Sequence, residues 1–366
     1  MGMNVFCLLR QIDLSRTGFR RKGTDAVSWK TTLYDYVHHR NQMDIDYSVE
    51  PMLPFVKDAA YLSAQTERLA RRADTDRQRQ FVPTKSETRL IVDQAVERGD
   101  NIVADVTLRR TTVGEIRQVL HEEQRVEQER ITLSPASDGW SVVHIEYLQT
   151  EQALRQKPPA AGGIMQAEDS FAAVGLMRAP SVPYLNTQII SHFQQAAARI
   201  PYDRLEAVRY ADRWWDQTNP AYLAFEVNCS NYVSQCIFAG GAPMNYTGKR
   251  DSGWWYKGRV GGQELWSFSW AVAESLQFYL LTSRRGLRAQ EVSNPQQLDL
   301  GDVISYDWDG DGRYQHTTIV TAKDPSGMPL VNAQTINSKH RYWSYTDSPA
   351  WTKRTRYRFL HLSDSF

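Results

Sequence analysis

The spacing of apolar positions divides the first 150 residues into a helical stretch and a stranded one. Trp29, Leu33, Tyr36, Val37 and Arg40 recur three and four residues apart, which predicts a helix with one inward face. A second helix is expected from near Pro54, a proline tolerated in a first turn, through Phe55, Ala59, Leu62 and Leu69 to Arg72. The period then falls to two. Glu87 to Glu97 is rich in apolar residues. Asn101 to Thr111 sets Ile102, Ala104, Val106 and Leu108 against Val103, Asp105, Thr107 and Arg109, with Gly99-Asp100 as the hairpin turn before it. Glu115 to Leu133 makes a third long segment. Gly139 to Gln149 makes a fourth, alternating Val143, Ile145 and Tyr147 after a Ser137-Asp138-Gly139 turn. Two helices followed by a four-strand antiparallel meander predict an α+β domain with the helices on one face of a curved sheet.

Periodicity lapses on both sides of this block. Residues 1–28 carry Arg10, Arg16, Arg20, Arg21 and Lys22 without pattern and read as a loosely ordered extension, leaving 29–150 as the first domain. Lys157-Pro158-Pro159-Ala160-Ala161-Gly162-Gly163 and Ala179-Pro180-Ser181-Val182-Pro183 break any helix, so 151–200 reads as a linker. A helical face returns over Tyr202 to Gln217, through Leu205, Val208, Ala211, Asp212 and Trp215, and opens a second domain over 201–366. Next comes Asn228-Cys229-Ser230-Asn231-Tyr232-Val233-Ser234-Gln235, continued by Cys236-Ile237-Phe238-Ala239. As a helix this run buries Val233, Cys236, Ile237 and Gly240 and stops at Gly240-Gly241.

Composition narrows the class. A chain of 366 residues with 41% hydrophobic and 23% charged content suggests two domains, and a net charge of +1 gives no reason to expect nucleic acid. Of the three cysteines, Cys229 and Cys236 would lie about 10 Å apart along one helix, beyond the roughly 7 Å limit for a bridge. The thiols therefore read as free. Val5-Phe6-Cys7-Leu8-Leu9 is too short for an export core or a membrane span, so the expectation is cytoplasmic by default, with cell-wall association left open.

Candidate chemistry centres on Cys229. A thiol at a helix start sits at the positive end of the dipole, which favours the thiolate. Its base must be a histidine, and His316, His340 and His361 fall in this half. His316 begins the apolar run Thr317-Thr318-Ile319-Val320 and reads as the first residue of a core strand. The return strand after Asp324-Pro325-Ser326-Gly327 puts Asn332 and Gln334 on one face, and both are candidates to orient the imidazole. Nine of the eleven tryptophans follow residue 200. They read either as core or as an aromatic-walled cleft for a peptide, with Trp254, Trp255 and Trp270 beside Tyr222 and Asn231 as substrate-binding candidates. Asp307, Asp309 and Asp311 with Gly312 copy half of a calcium loop, but Thr318 stands where its last carboxylate belongs. A hairpin loop is the expectation, weak calcium binding the alternative. No other cofactor or metal is called for.

Asn228-Cys229-Ser230-Asn231-Tyr232-Val233-Ser234-Gln235 with Ala239-Gly240-Gly241-Ala242-Pro243 resembles the nucleophile helix of the bacterial "putative amidase domain" proteins. Those are relatives of NlpC-type and CHAP cysteine peptidases on a papain-like fold. Ser269-Trp270, Gly301-Asp302-Val303-Ile304, Asp309-Gly310-Asp311-Gly312 and His316-Thr317-Thr318-Ile319-Val320 follow in order. The family usually has Asp, Thr and Phe where Asn228, Ser230 and Tyr232 stand. The resemblance implies a papain-like second domain that hydrolyses an amide or peptide bond, in cell-wall (peptidoglycan) peptide or a related amide. Cys229 would be the nucleophile, His316 the base and Asn332 the third member. The first domain is similar in element order to cystatin-like and NTF2-like folds, which implies small-molecule binding, dimerisation or an adaptor role, and the fold alone does not choose among them. A catalytically silent binding or adaptor protein is the alternative function.

Overall fold

The computed structural model describes residues 28–149, 151 and 200–366. The expected extension over 1–28 and linker over 151–200 lie, but for their end residues, outside the described residues. Helix α1 runs Trp29–Asp46 and is capped by the Ser28 hydroxyl, which accepts from the Lys30 N–H. Helix α2 runs Ala59–Arg79. It starts later than expected: Pro54 lies in a turn, and the Asp58 carboxylate takes the N-cap by accepting from Tyr61 N–H at 3.0 Å.

The meander is longer than its apolar runs. Strands β1 (Phe81–Arg98), β2 (Asn101–Ile116), β3 (Val119–Ala136) and β4 (Gly139–Tyr147) pair in sequence, all antiparallel. Gly99 makes the first turn with φ 61°, while Arg117 and Gln118, at φ 49° and 66°, make the second without glycine. Leu33, Tyr36, Val37 and Leu69 of the helices pack on Ala104, Val106, Leu108, Ile131 and Leu133. A polar layer lies beside this core. Arg40 pairs with Glu127 and Glu129, and Asp44 gathers Arg68, Arg72 and Arg110. Arg40 thus faces inward, as its place in the helical pattern required, because carboxylates of β3 meet it there.

The second half has α3 (Arg204–Trp214), α4 (Cys229–Ala239), a hairpin of β5 (Tyr256–Val260) and β6 (Gln263–Trp266), and α5 (Phe268–Ala271) with α6 (Ala273–Thr282). Five further strands form β7 (Ala289–Val292), β8 (Val303–Asp307), β9 (His316–Lys323), β10 (Pro329–Ala333) and β11 (Asn337–Tyr342), and β12 (Arg356–Leu362) completes the set. Helix and antiparallel sheet combine, so the fold is α+β.

One sheet spans the chain, in the order β1-β2-β3-β11-β10-β9-β8-β12-β7, with β4 also on β3. Strand β3 serves both halves: Gln124, Arg125 and Val126 pair with β11, and Glu129 onward pairs with β4. Buried ion pairs reinforce the joint, Arg125 to Asp347 and Arg341 to Glu151. In the second half the two faces of the sheet are covered differently. Val303 and Ile319 face α3, α4 and α6, whereas Ile304, Tyr306, Val320 and Val331 face an aromatic cluster with Trp308 and Tyr345.

Candidate active site around Cys229

Cys229 is the first residue of α4, as the pattern predicted, and the helix ends where expected. Gly240 N–H bonds Cys236 O, Gly241 takes φ 93°, and a Cβ on Gly240 would collide with the Tyr202 ring. The sulfur is nonetheless sealed, at 1% exposure. Burial raises the thiol pKa, outweighing the lowering by the Thr317 and Ser230 backbone N–H groups and the Ser230 and Thr335 hydroxyls. The expected activation by the helix dipole is therefore overridden, because a thiolate in a dry site loses more hydration than these donors return.

The residues around the thiol hold one another rather than a ligand. Asn228 Oδ1 accepts from Phe225 N–H at 3.1 Å and from Asn231 Nδ2 at 2.9 Å, and Asn228 Nδ2 donates to Gln334 Oε1. Asn228 N–H donates to the Thr335 hydroxyl at 3.1 Å. Thr335 sits at φ 93°, a strained value for a β-branched residue. Ser230 Oγ lies 3.3 Å from Thr317 Oγ1 on β9. Sequence reasoning missed Thr317 and Thr335; the alternation along β9 and the adjacency of Thr335 to Gln334 could have found them.

His316 begins β9 but points away from the thiol. Successive side chains of a strand alternate, so with Thr317 on the α4 face His316 falls on the other. Its ring stacks on Trp308 at 5.8 Å and 26°, between Tyr306 and Tyr345. Neither ring nitrogen has a hydrogen-bond partner among the described residues. Burial, and secondarily the charge of Arg341, push its pKa down to about 3.

Asn332 does not reach His316 either. It pairs with Ile319 across the hairpin, hence on the α4 face. Its Nδ2 donates to Asp212 Oδ1 at 2.8 Å, and its Oδ1 accepts from the Thr321 hydroxyl and from His340 N–H. Gln334 shares that face, as period two required, and donates to Trp214 O and Gln217 O. The structure thus brings Cys229 and the Asn332–Gln334 pair to one side and leaves His316 on the other.

The aromatic candidates are core. Trp254, Trp255 and Trp270 are at most 1% exposed. Trp254 Nε1 donates to Ser234, Trp270 Nε1 to Asn231 Oδ1, and Trp255 Nε1 to Ser252 O. Half-buried Tyr222 stacks on Trp270 at 6.0 Å. Trp254 and Trp270 pack in the core with α4, and Trp255 is closed over by the turn at 249–252 and Tyr246, so three indoles with satisfied N–H groups offer a substrate no cleft wall. In the acidic loop, Asp307 accepts the N–H groups of Gly310 and Gly312 at 2.8 Å, and Asp311 that of Arg313. Its first carboxylate builds the turn. No cluster of metal-ligating side chains occurs among the described residues.

Residues 201–360 match the family model described as "Putative amidase domain". A stretch of 163 residues is 55% identical to "Uncharacterized protein YhbB" of Bacillus subtilis (strain 168), covering 44% of this chain. The chain spans 51%, about half, of the length of that curated relative. The intermembrane space region of chloroplast protein ARC6 aligns with 35% of this chain and 98% of that one at 19% identity, with a TM-score of 0.27, too low to bear on the fold. With the motifs of α4 and β9 inside the matched span, the C-terminal half of this chain is an amidase-like domain.

Proposed function

We propose that the C-terminal half is a cysteine-dependent amide hydrolase of papain-like design, acting on cell-wall peptide or a related amide. The observation that carries this reading is the position of Cys229 at the head of α4, with backbone and hydroxyl donors from Ser230, Thr317 and Thr335 gathered at its sulfur. Such donors suit a thiolate that attacks a carbonyl carbon. The tetrahedral adduct expels the amine with a proton, leaving a thioester that water hydrolyses. His316 is the base in this proposal. Because its ring packs among Trp308, Tyr306 and Tyr345 on the other face of β9, this reading requires it to turn to the thiol, and its two unpartnered ring nitrogens add no hydrogen bond to the packing such a turn must break.

A second reading has its own support. A sealed thiol with a raised pKa and an imidazole on the opposite face are what a silent binding or adaptor protein would keep. Incubation with purified cell wall and with small amides, followed by mass spectrometry, separates the two. Hydrolase action yields new amine and carboxylate ends that vanish in Cys229→Ala and His316→Ala. Retention of wall fragments without any new ends favours the binder.

A further inference from the structure

Where the N-terminal strands meet the end of α3, a cleft of about 400 Å³ opens, with β1 and β2 as its floor and Trp215 and Asp216 as its wall. The antiparallel register sets Arg89 directly opposite Arg109. Cross-strand neighbours lie about 5 Å apart at Cβ, and like charges there repel unless something negative comes between. Asp216 answers one of them, its Oδ2 lying 2.8 Å from Arg109 Nη1. Arg89 is exposed and has no acidic partner among the described residues. The nearby Glu87 is turned to Lys85, 2.8 Å away. Arg110 and Arg125 also border the cleft, but they are a cross-strand pair one residue out of phase with Arg109, and their guanidiniums are held by carboxylates on the other face of the sheet.

The cleft also adjoins the Cys229 site. Asp216 precedes Gln217, whose carbonyl accepts from Gln334 at 2.9 Å, and Gln334 in turn bonds Asn228 beside the thiol. We propose that Arg89 and Arg109 form an oxyanion site that takes the carboxylate of an acidic peptide against the edge of Trp215. A guanidinium fork matches a carboxylate with two parallel N–H···O bonds, which Arg89 can offer, and Arg109, with Nη1 on Asp216, adds its remaining N–H groups from the opposite strand. A role in substrate selection rests on the amide-hydrolase reading; the binding does not.

Calorimetric titration of the full chain tests it, with a short glutamate-containing peptide, the same peptide with glutamine and an amidated end, and inorganic phosphate. The acidic peptide binds, more weakly as salt rises, and the neutral one does not. Arg89→Gln lowers its affinity at least 10-fold and Arg89→Lys recovers part of it. Competition by phosphate assigns the site to oxyanions generally, and its failure to compete assigns it to the carboxylate shape. The proposal is overturned if Arg89→Gln binds as tightly as wild type, if the neutral peptide binds equally, or if neither peptide nor phosphate binds at millimolar concentration. Binding without turnover of any amide would overturn the hydrolase reading and leave this one standing.

Discussion

At the scale of single residues, His316 carries the sharpest expectation. Its ring stays neutral when folded, with a pKa near 3, and titrates near 6.5 when the chain unfolds. Between those values the unfolded chain binds the extra proton, so stability falls as pH drops from about 6.5 towards 3, by about 2 kcal/mol at pH 5. His316→Phe fills the same aromatic box without unpartnered nitrogens. It should raise the melting temperature at pH 5 and flatten the pH slope of chemical denaturation, while abolishing turnover if His316 is the base. Cys229 makes a different forecast. Because burial raises its pKa, iodoacetamide labelling should climb steadily through pH 9 with no plateau near neutrality, with Cys229 ahead of the core thiol Cys236. Peptide mapping of the labelled chain reads this directly, and a plateau below pH 7 would show an activated thiolate. Asn332→Ala should act on stability rather than turnover. Removing the side chain leaves His340 N–H without its acceptor and takes one partner each from Asp212 and Thr321, which keep Lys339 and Leu330 O, costing about 1–3 kcal/mol in urea denaturation, with kcat per folded molecule little changed.

At the scale of elements, the sequence was most readable where periodicity had no competitor. The four strands of the meander and the span of α4 follow from alternation and from the double glycine. Their ends moved because side chains, not apolar runs, set them: Asp58 rather than Pro54 starts α2, and Arg117-Gln118 turn β2 into β3 without the usual residues. The site was less legible. Alternation along β9 already separates His316 from Thr317, yet which of the two meets α4 depends on how the sheet lies under the helix, a tertiary fact with no local signal. Tryptophan clustering likewise could not distinguish core from cleft, since both are aromatic and only packing decides. The junction of α4 and β10 is testable. Asn228→Asp loses the donor to Gln334 Oε1 and sets a carboxylate against that oxygen. It should lower stability by about 1 kcal/mol or more, read by thermal denaturation at pH 7.

At the scale of the whole molecule, the continuous sheet changes what cutting the chain would do. Proteolysis within 152–199 should leave both fragments eluting together on gel filtration, since β3 and β11 still pair and Arg125 still meets Asp347. Arg125→Met leaves the Asp347 carboxylate buried with Arg341 alone and should weaken that association by about 3 kcal/mol or more. Separation of the fragments without denaturant would argue that the joint is weaker than its burial implies. The sharing of β3 also bears on how such a protein can be rebuilt from parts. A chimera spliced at the segment between the halves would supply a foreign partner to β11, whose hydrogen-bonding edge and Arg341 are shaped to Gln124–Val126 and Glu151. Insertion of one residue before Gln124 would turn Arg125 from Asp347 to the opposite surface and shift the charges that follow it on that strand relative to Glu122 and Glu123. The amidase-like half is therefore not a freely portable cassette, and exchange of its neighbour is restricted to domains that present the same short stretch of strand in the same register.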